Sequence, residues 1–532
     1  MLALGLAGGL LLVFVTPPFQ VPDEPAHFFR AYQIATAAAA EPGPGGGGLG
    51  FMLPASLPRL VNFCVAGVAF HPDRRLPPGL LPAAWRLPLE PERRIFLPAG
   101  SLTSYTAVPY LAAAAVVAAG RLLVLPPLAL LYLARLGNLA AALALSWTAV
   151  RLAPVQRWLL ALLALTPMAM FERSSASADA LTNALPLLLL SCILSLALRR
   201  LPAAVAASSA AGARSLAAAA AGQAPVIPRA ALPVTSAAEG TAGESGAAAP
   251  LAGRWPGEAR VSARSAALLL ATAFLLAAAK GVYFLIDLLV FVVPPAVRGR
   301  GRAESRATWK PPPAAEAPAA AAPPPGLGAA RRAAAGLWAG GMAAAVAGAG
   351  MSWWVAHRFA ILGFLRSGVQ PQAQLRGVLA APLRFLSLAA TDYVLHAPRY
   401  AAQFVGNFGW LDTPLPRAAT VLWALLLLAA ACTGGNPALA LAAWQRWLAA
   451  AVTGGVLLFI SLSQYVTWTP LGANFVDGLQ GRYFLPLAPV AAILFYNRRL
   501  AGRHTAGWLF GGLSVVFTVL TLLRIWFRYH GV

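Results

Sequence analysis

LALLYLARLGNLAAALALSWTAV, at Leu128–Val150, is the stretch that decides the class of this protein. It is apolar and close to the roughly 20 residues that an α-helix needs to cross a bilayer. Similar runs cover Trp158–Phe171 and Leu181–Leu198. A soluble core of this kind would need polar outer helices to cover it, and the sequence has none. We therefore expect an integral membrane protein with several spans.

The composition agrees with this class. Of the 532 residues, 59% are hydrophobic and only 11% are charged, and the mean hydropathy is +0.69. A soluble domain carries roughly 25% charged residues. The formal charge of +23 would suggest nucleic-acid binding in a soluble protein. Here the basic residues lie in short clusters between apolar runs, so the positive-inside rule explains them and no nucleic-acid partner is expected.

Two segments of low complexity divide the chain. Residues 201–263 are rich in Ala, Gly, Ser and Pro, and residues 296–335 are rich in Pro, Ala and Arg. Such compositions are typical of disordered linkers, and their basic character predicts a cytoplasmic location. The linkers separate an N-terminal membrane module, 1–200, from a helical hairpin, 264–295, and a C-terminal transmembrane module, 336–532.

The charge asymmetry predicts the orientation of the spans. Arg199 and Arg200 end a span on the inside, so the loop before that span lies outside. Counting back from this loop leaves an even number of crossings between the short first run, Leu2–Val15, and the run quoted above. We therefore expect Tyr105–Leu123 to lie along the outer interface, within a first outer loop at 16–127. An ordinary second span is the open alternative, and it would invert the topology.

The full count is about eleven spans in an all-α, polytopic transmembrane helix bundle. The other long outer loops are expected at 359–416 and 464–482. In the first of these, apolar residues recur at helical spacing between Leu379 and Ala397. This pattern predicts an amphipathic helix that lies on the outer surface.

Ionisable side chains follow the first span on the outer face. Asp23, Glu24 and His27 lie within five residues. Pro25 suits the first turn of a helix, and that helix would place His27 and Arg30 one turn apart. Paired carboxylates at a membrane surface can act as a general base or as metal ligands. Equally, these acids can simply begin a solvated helix, because the helix dipole favours negative charge in the first turn.

Three other outer positions carry charge. Asp179 heads a span after a serine-rich loop, where a helix-capping cluster is the favoured alternative. Lys280 stands at the turn of the hairpin and can either meet a lipid phosphate or extend to the headgroups without a specific role. Arg482, followed by Tyr483, begins a span against the positive-inside trend, so it needs a partner. An anionic phosphate is one candidate for that partner, and Asp477 is the other.

Four motifs together resemble a family of bacterial polytopic membrane proteins catalogued as a domain of unknown function. They are PPFQxPDExxHxxRA at Pro17–Ala31, SxSxD at Ser175–Asp179, GWLD at Gly409–Asp412 and QGRYFLPLxP at Gln480–Pro489. That family is grouped with the GT-C superfamily of membrane glycosyltransferases, which use polyprenyl-phosphate-linked sugars. The resemblance implies a GT-C-like fold in the cytoplasmic (inner) membrane, with the catalytic face outside the cytoplasm.

The same resemblance implies roles for single residues. Asp23 would be the general base that takes a proton from an acceptor hydroxyl. Glu24 and Asp179 would act with it in catalysis, by positioning the acceptor or binding a divalent metal ion, although metal dependence varies across the superfamily and stays open. Lys280 and Arg482 would bind the donor phosphate. The substrate-binding candidates are His27, Arg30, Lys280, Arg482 and Tyr483.

The expected function is that of an inverting glycosyltransferase. It would move a hexose or pentose from a polyprenyl phosphate to an envelope glycan, lipid or protein, in contact with membrane lipids. The alternatives are a transporter or flippase of lipid-linked sugars and a non-catalytic scaffold for envelope assembly. Transporters place ionisable groups near the midplane of the membrane. Here these groups lie mainly at span ends, which favours the enzyme.

Overall fold

The computed structural model describes nine stretches of the chain, which are 1–44, 49–65, 67–99, 105–198, 262–293, 327–360, 368–436, 441–502 and 507–531. The predicted linkers therefore lie mostly outside the described residues. The exceptions are 262–263, where a helix begins at the end of the first linker, and 327–335, which is helical where the second linker was expected. The described part of the chain is mostly helical, with few strands.

The first part of the chain forms nine of the described helices. They are α1 Leu2–Val15, α2 Glu24–Ala35, α3 Ser56–Val65, α4 Leu80–Trp85, α5 Leu111–Leu122, α6 Pro127–Leu152, α7 Arg157–Ala164, α8 Pro167–Arg173 and α9 Asp179–Leu198. In place of one helix at Tyr105–Leu123, a 3₁₀ turn at Val108–Tyr110 leads into α5.

The segment predicted to be the first outer loop, 16–127, also contains a small antiparallel sheet, which the all-α prediction did not include. Its strands are β1 Glu41–Pro42, β2 Leu49–Pro54 and β3 Arg94–Pro98, in the order β1-β2-β3. Isoleucine, phenylalanine and leucine in RIFLP suit a pleated, half-buried surface. Such a short run pairs only because the chain brings 49–54 beside it, which no local pattern shows.

The second part of the chain continues with eight described helices. They are α10 Ala263–Ala279, α11 Leu327–Ala360, α12 Pro371–Ala380, α13 Pro382–Gly406, α14 Arg417–Thr433, α15 Ala443–Thr467, α16 Ala488–Ala491 and α17 Gly507–Tyr529. Its 3₁₀ segments are Gly281–Val292, Gly481–Phe484 and Ala492–Phe495, and its strands are β4 Asn407–Phe408 and β5 Thr413–Pro414.

Helix α1 runs antiparallel to α6. A Cβ atom added at Gly5 would lie 2.7 Å from Leu143, whereas the carbonyl oxygen of Val13 accepts a 2.9 Å hydrogen bond from Arg135. Later residues of α1 thus contact earlier residues of α6. The segment between the two helices must therefore begin and end at the same end of the bundle, as the even number of crossings requires.

Five of the described helices are long and apolar enough to cross a membrane, namely α6, α9, α11, α15 and α17. Helices α12 and α13, bent by 105° at their junction, make a sixth if they are taken as one span. The predicted count of about eleven is therefore not confirmed. The predicted count used only the length of the apolar runs. In the structure, Pro167 divides one predicted span into α7 and α8, and the run after Lys280 is a 3₁₀ helix.

Helix α13 covers most of the segment for which an amphipathic helix was predicted. Leu383 and Val394 are exposed on one face, whereas Phe385 and Asp392 are buried on the other. The buried face packs against the 3₁₀ turn Gly481–Phe484. This packing positions the turn that carries Arg482.

Candidate functional site

Four chain segments meet at one end of the bundle. Asp23 directly precedes α2, Asp179 begins α9, Lys280 follows α10, and Arg482 lies in the 3₁₀ turn Gly481–Phe484. The guanidinium group of Arg482 reaches back across 459 positions of sequence to Asp23, with 2.8 Å between Nη2 and Oδ2. Residues that the sequence singled out separately therefore form one cluster.

Arg482 is the centre of this cluster. Its Nη1 lies 3.3 Å from Asp179 Oδ2 and 3.6 Å from Glu172 Oε1. Its Nε donates to the Gln480 side chain over 2.6 Å. The side chain is only 2% exposed. A buried guanidinium is stable only with partners, and three carboxyl groups surround this one.

Lys280 is the second buried cation. Its Nζ lies 2.5 Å from Asp179 Oδ1, and 4.9 and 5.4 Å from the ring centres of Tyr105 and Tyr483. Two aromatic faces thus add cation–π attraction to the ion pair. The lysine does not extend to lipid headgroups, since its side chain is 8% exposed. Tyr483 also stacks beside Arg482, with 5.3 Å from Cζ to the ring centre.

Asp23 is the exposed acid of the cluster, with 57% of its side chain accessible. Its backbone is left-handed, with φ of 62°, and its side chain makes no capping bond to α2. Aspartate tolerates this conformation better than most residues. Burial raises the pKa of Asp23, but neighbouring charges, Arg482 first, lower it further, so the pKa lies below its ordinary value. The carboxylate is therefore ionised at neutral pH and open to a ligand.

Glu24 has a different environment from its neighbour Asp23. It forms a bidentate pair with Arg135, at 2.8 and 2.7 Å, and both side chains are 0% exposed. The backbone amides of Phe19 and Ala176 donate to the same carboxylate, each over 3.0 Å. Four donors fill its lone pairs. Glu24 is thus a structural anchor of the loop rather than a solvated residue of a helix start.

Sequence reasoning missed Arg135. Besides Glu24, it donates to the carbonyl oxygens of Val13, Thr16 and Pro17, and so ties the end of α1 to α6. The available signal was an arginine inside the apolar run at Leu128–Val150. A charged residue at such a position calls for a named partner.

His27 and Arg30 line the region beside the ion-pair cluster. His27 Nδ1 and the Tyr110 hydroxyl are 2.9 Å apart. Burial lowers the pKa of His27 to about 4, so the ring is neutral at pH 7. Arg30 turns away from the ion pairs and donates to Gln33 and to the carbonyl oxygen of Tyr105. Arg30 is therefore held apart from the ion pairs.

A family model described as a predicted membrane protein (DUF2142) matches residues 6–232 and 245–491. The chain belongs to the DUF2142 family. No curated protein and no solved structure matches the chain.

In this DUF2142 protein, the serine loop caps a helix and the acid after it does not. Ser177 Oγ accepts from the amide of Asp179, and Ser175 Oγ accepts from the amide of Ser177. Both bonds join residues two apart in the loop before α9, and the bond from Asp179 satisfies the first amide of that helix. The Asp179 carboxylate instead faces Lys280 and Arg482.

The GWLD turn of this DUF2142 protein joins segments that are far apart in the sequence. Asp412 Oδ2 lies 3.0 Å from Arg528 Nη2 at the end of α17. Arg528 also donates to the carbonyl oxygens of Val68, His71 and Arg74 in the loop between α3 and α4. The turn therefore fixes the position of that loop and takes no part in the ion-pair cluster.

The candidate metal ligands already face cations. Glu24 is saturated by Arg135 and two amides, and the oxygens of Asp179 face Lys280 and Arg482. Within the part of the chain that the structure describes, no group of three or more His, Cys, Asp or Glu side chains is placed to hold a metal ion. The oxygens of Glu24 and Asp179 are therefore already engaged by cations and backbone amides.

Gly481, the residue before Arg482, packs directly against α13. A Cβ atom added there would overlap the carbonyl oxygen of Tyr400, and the Gly481 amide donates to Gln403 over 2.8 Å. We expect Gly481→Ala to cost about 1–3 kcal/mol, as overpacking does, and to displace Arg482. Thermal unfolding of the purified protein measures the loss. Gly511→Ala, in an open position on α17, is the control and should not lower the melting temperature. A Gly481→Ala variant as stable as wild type would contradict this packing.

Proposed function

We propose that this protein is a membrane glycosyltransferase that moves a sugar from a polyprenyl phosphate to an acceptor hydroxyl in the cell envelope. One observation carries the proposal. An exposed carboxylate, Asp23, is held 2.8 Å from a buried arginine whose other partners include the acid that pairs with Lys280. An accessible base and two buried cations that can bind a phosphate thus lie in one cluster.

The two cations suit the leaving group. As the bond between the anomeric carbon and the phosphate oxygen breaks, negative charge grows on the lipid phosphate. Arg482 can donate bidentately to phosphate oxygens, and Lys280 adds a point charge. Fixed cations in a site that excludes water stabilise such charge without reorganisation.

Asp23 suits the acceptor. Its accessible carboxylate takes the proton of the acceptor hydroxyl while the oxygen of that hydroxyl bonds to the anomeric carbon. Attack opposite the leaving phosphate inverts the configuration of that carbon. Lys280 and Arg482 hold the phosphate, and Tyr105 and Tyr483 offer aromatic faces for the sugar.

The proposal places this site outside the cytoplasm, on a bundle of about eleven crossings in the inner membrane. Contacts at the opposite end of the bundle support it. There the backbone amide of Gln156 donates to the carbonyl oxygen of Gly434 over 2.8 Å. The guanidinium group of Arg446 donates to the carbonyl oxygen of Tyr496 over 3.1 Å. Successive apolar runs therefore turn at alternate ends. The basic residues Arg498 and Arg499 follow at this second end, which suits a cytoplasmic location.

Membrane vesicles that contain the purified protein and a labelled polyprenyl-phosphate sugar test this function. We expect transfer of label to an envelope extract by the wild type. Arg482→Gln should raise the KM for the donor about tenfold or more, because a charge-assisted contact to the phosphate is lost. Arg399→Gln, which removes an exposed arginine from α13, is the matched control and should leave the donor KM unchanged.

The same vesicles separate the enzyme from its alternatives. A flippase would move the labelled lipid across the bilayer and leave the sugar attached to it. A scaffold would do neither. Either result with wild-type protein would overturn the proposed transfer.

A further inference from the structure

Glu172 is a buried acid of the cluster that no sequence motif pointed to. It lies in α8 and is 0% exposed, with its Oε1 3.6 Å from Arg482 Nη1. Its Oε2 accepts a 2.6 Å hydrogen bond from Asn183, whereas Oε1 accepts none within the described chain. The 3.3 Å separation of Asp179 from the same Nη1 also exceeds the usual 2.7–2.9 Å of a charge-assisted bond. Neither acid therefore holds Nη1 tightly.

The charges of the cluster do not balance if every acid is ionised. The carboxyl groups of Asp23, Glu172 and Asp179 face the cations Lys280 and Arg482. The His27 ring on α2 is neutral at pH 7, since burial lowers its pKa to about 4. The fully ionised cluster would thus carry a net charge of −1 and would repel a phosphate.

Another cation, Arg173, lies near Glu172 but does not balance the charge of the cluster. Arg173 follows Glu172 on α8, but its guanidinium donates to the carbonyl oxygens of Ala164 and Ala169. Burial, followed by the Asp179 carboxylate, raises the pKa of Glu172 to about 8. Glu172 is therefore the acid that stays neutral at pH 7, and the cluster is then balanced.

The position of the proton on neutral Glu172 follows from its partners. Oε2 already accepts from Asn183, so the proton sits on Oε1. An O–H on Oε1 then points toward the N–H groups of Arg482, which are also donors. Two donors that face the same space need an acceptor, because a buried unsatisfied donor is costly. An oxygen atom of an anion would accept from both.

We propose that Glu172 and Arg482 together form the subsite for one phosphate oxygen of the donor, with Glu172 acting as a neutral hydrogen-bond donor. This subsite rests on the proposed function, because the anion is taken to be the lipid phosphate of the donor. Asp179 stays with Lys280 and yields its longer contact to Arg482 when the phosphate binds. Glu172 is thus a specificity residue, which favours a phosphate over a neutral lipid alcohol.

Binding without turnover tests the subsite. Full-length protein in phosphatidylcholine nanodiscs is titrated with a polyprenyl phosphate, with the matching polyprenol and with inorganic phosphate, at pH 7 and at about pH 9.5. We expect Glu172→Ala to weaken binding of the lipid phosphate roughly 10- to 100-fold, because one hydrogen bond to a charged group is lost. Glu172→Gln retains an N–H donor and should bind nearly as the wild type does at pH 7.

The pH comparison gives an independent result if Glu172→Ala does not fold. Above about pH 8 the wild-type carboxyl ionises, loses its donor and adds a negative charge, so affinity for the lipid phosphate should fall. Glu172→Gln cannot ionise and should keep its affinity at about pH 9.5. An equal alkaline loss in both proteins, or a folded Glu172→Ala variant with wild-type affinity, would overturn the subsite.

The ligand series separates this failure from failure of the proposed function. If the wild type binds the polyprenyl phosphate and the Glu172 variants behave like it, only the subsite is wrong. If the wild type binds neither the lipid phosphate nor inorganic phosphate, both proposals fail. If inorganic phosphate binds as tightly as the lipid phosphate, the anion subsite stands and its assignment to a lipid is wrong.

Discussion

Asp23→Asn is expected to lower sugar transfer roughly 10²- to 10⁴-fold, the usual contribution of a general base. The change is nearly isosteric, and asparagine accepts the left-handed backbone at this position, with φ of 62°. The amide can still receive a hydrogen bond from Arg482. The proton acceptor is therefore what the substitution removes, and kcat in the vesicle assay should report the loss.

A second acid in the segment between α1 and α6 provides the control for Asp23→Asn. Glu41 is exposed and begins β1, away from the ion-pair cluster. Glu41→Gln removes the same charge and should leave kcat unchanged. If Asp23→Asn keeps wild-type kcat while the protein is folded, Asp23 is not the base.

Arg135→Leu is expected to destabilise the protein by about 3–5 kcal/mol, because it leaves the Glu24 carboxylate buried without its partner. Whole domains are stable by only about 5–15 kcal/mol, so the variant should express poorly or melt at a much lower temperature. The carbonyl oxygens of Val13, Thr16 and Pro17 lose donors as well. Thermal unfolding of purified protein in detergent measures the effect.

A surface ion pair shows what burial adds. Arg59 and Glu90 lie 3.4 Å apart, with 46% and 29% of their side chains exposed. Such pairs contribute about 0–1 kcal/mol, so Arg59→Leu should change the melting temperature little. Equal losses for Arg59→Leu and Arg135→Leu would contradict the anchoring role of the buried pair.

The double variant with Glu24→Leu and Arg135→Leu measures the interaction free energy of the buried pair. Without either charge, no unpaired ion remains in the interior. We expect the double variant to recover part of the stability lost by Arg135→Leu. Recovery should stay incomplete, because the carbonyl oxygens at the end of α1 still lack their donor.

The chemistry of the candidate site could be foreseen in part. Asp23, Asp179, Lys280 and Arg482 each stand where a hydrophobic run ends, and the charge pattern put these ends on one face. Their direct contacts, such as the 2.8 Å between Asp23 and Arg482, could not be read from that pattern. Arg135 and Glu172 were missed because each sits within or beside an apolar run and is explained only by its partner.

The two adjacent acids show the limit most clearly. In the sequence, Asp23 and Glu24 have the same neighbours, and either could act as a general base or a metal ligand. In the structure, Asp23 is more than half exposed, whereas Glu24 is fully enclosed by Arg135 and two backbone amides. Their roles diverge because successive residues at a helix start point in different directions.

The amino-acid sequence by itself determined that this protein is a helical membrane protein with Asp23, Asp179, Lys280 and Arg482 at the ends of apolar runs. Hydrophobic length and the placement of basic residues are local properties, and a bilayer acts on them directly. Only the tertiary structure decided which charges pair, which acid stays exposed and which runs form complete helices. These outcomes depend on burial and on partners hundreds of residues away, and both exist only once the chain has packed.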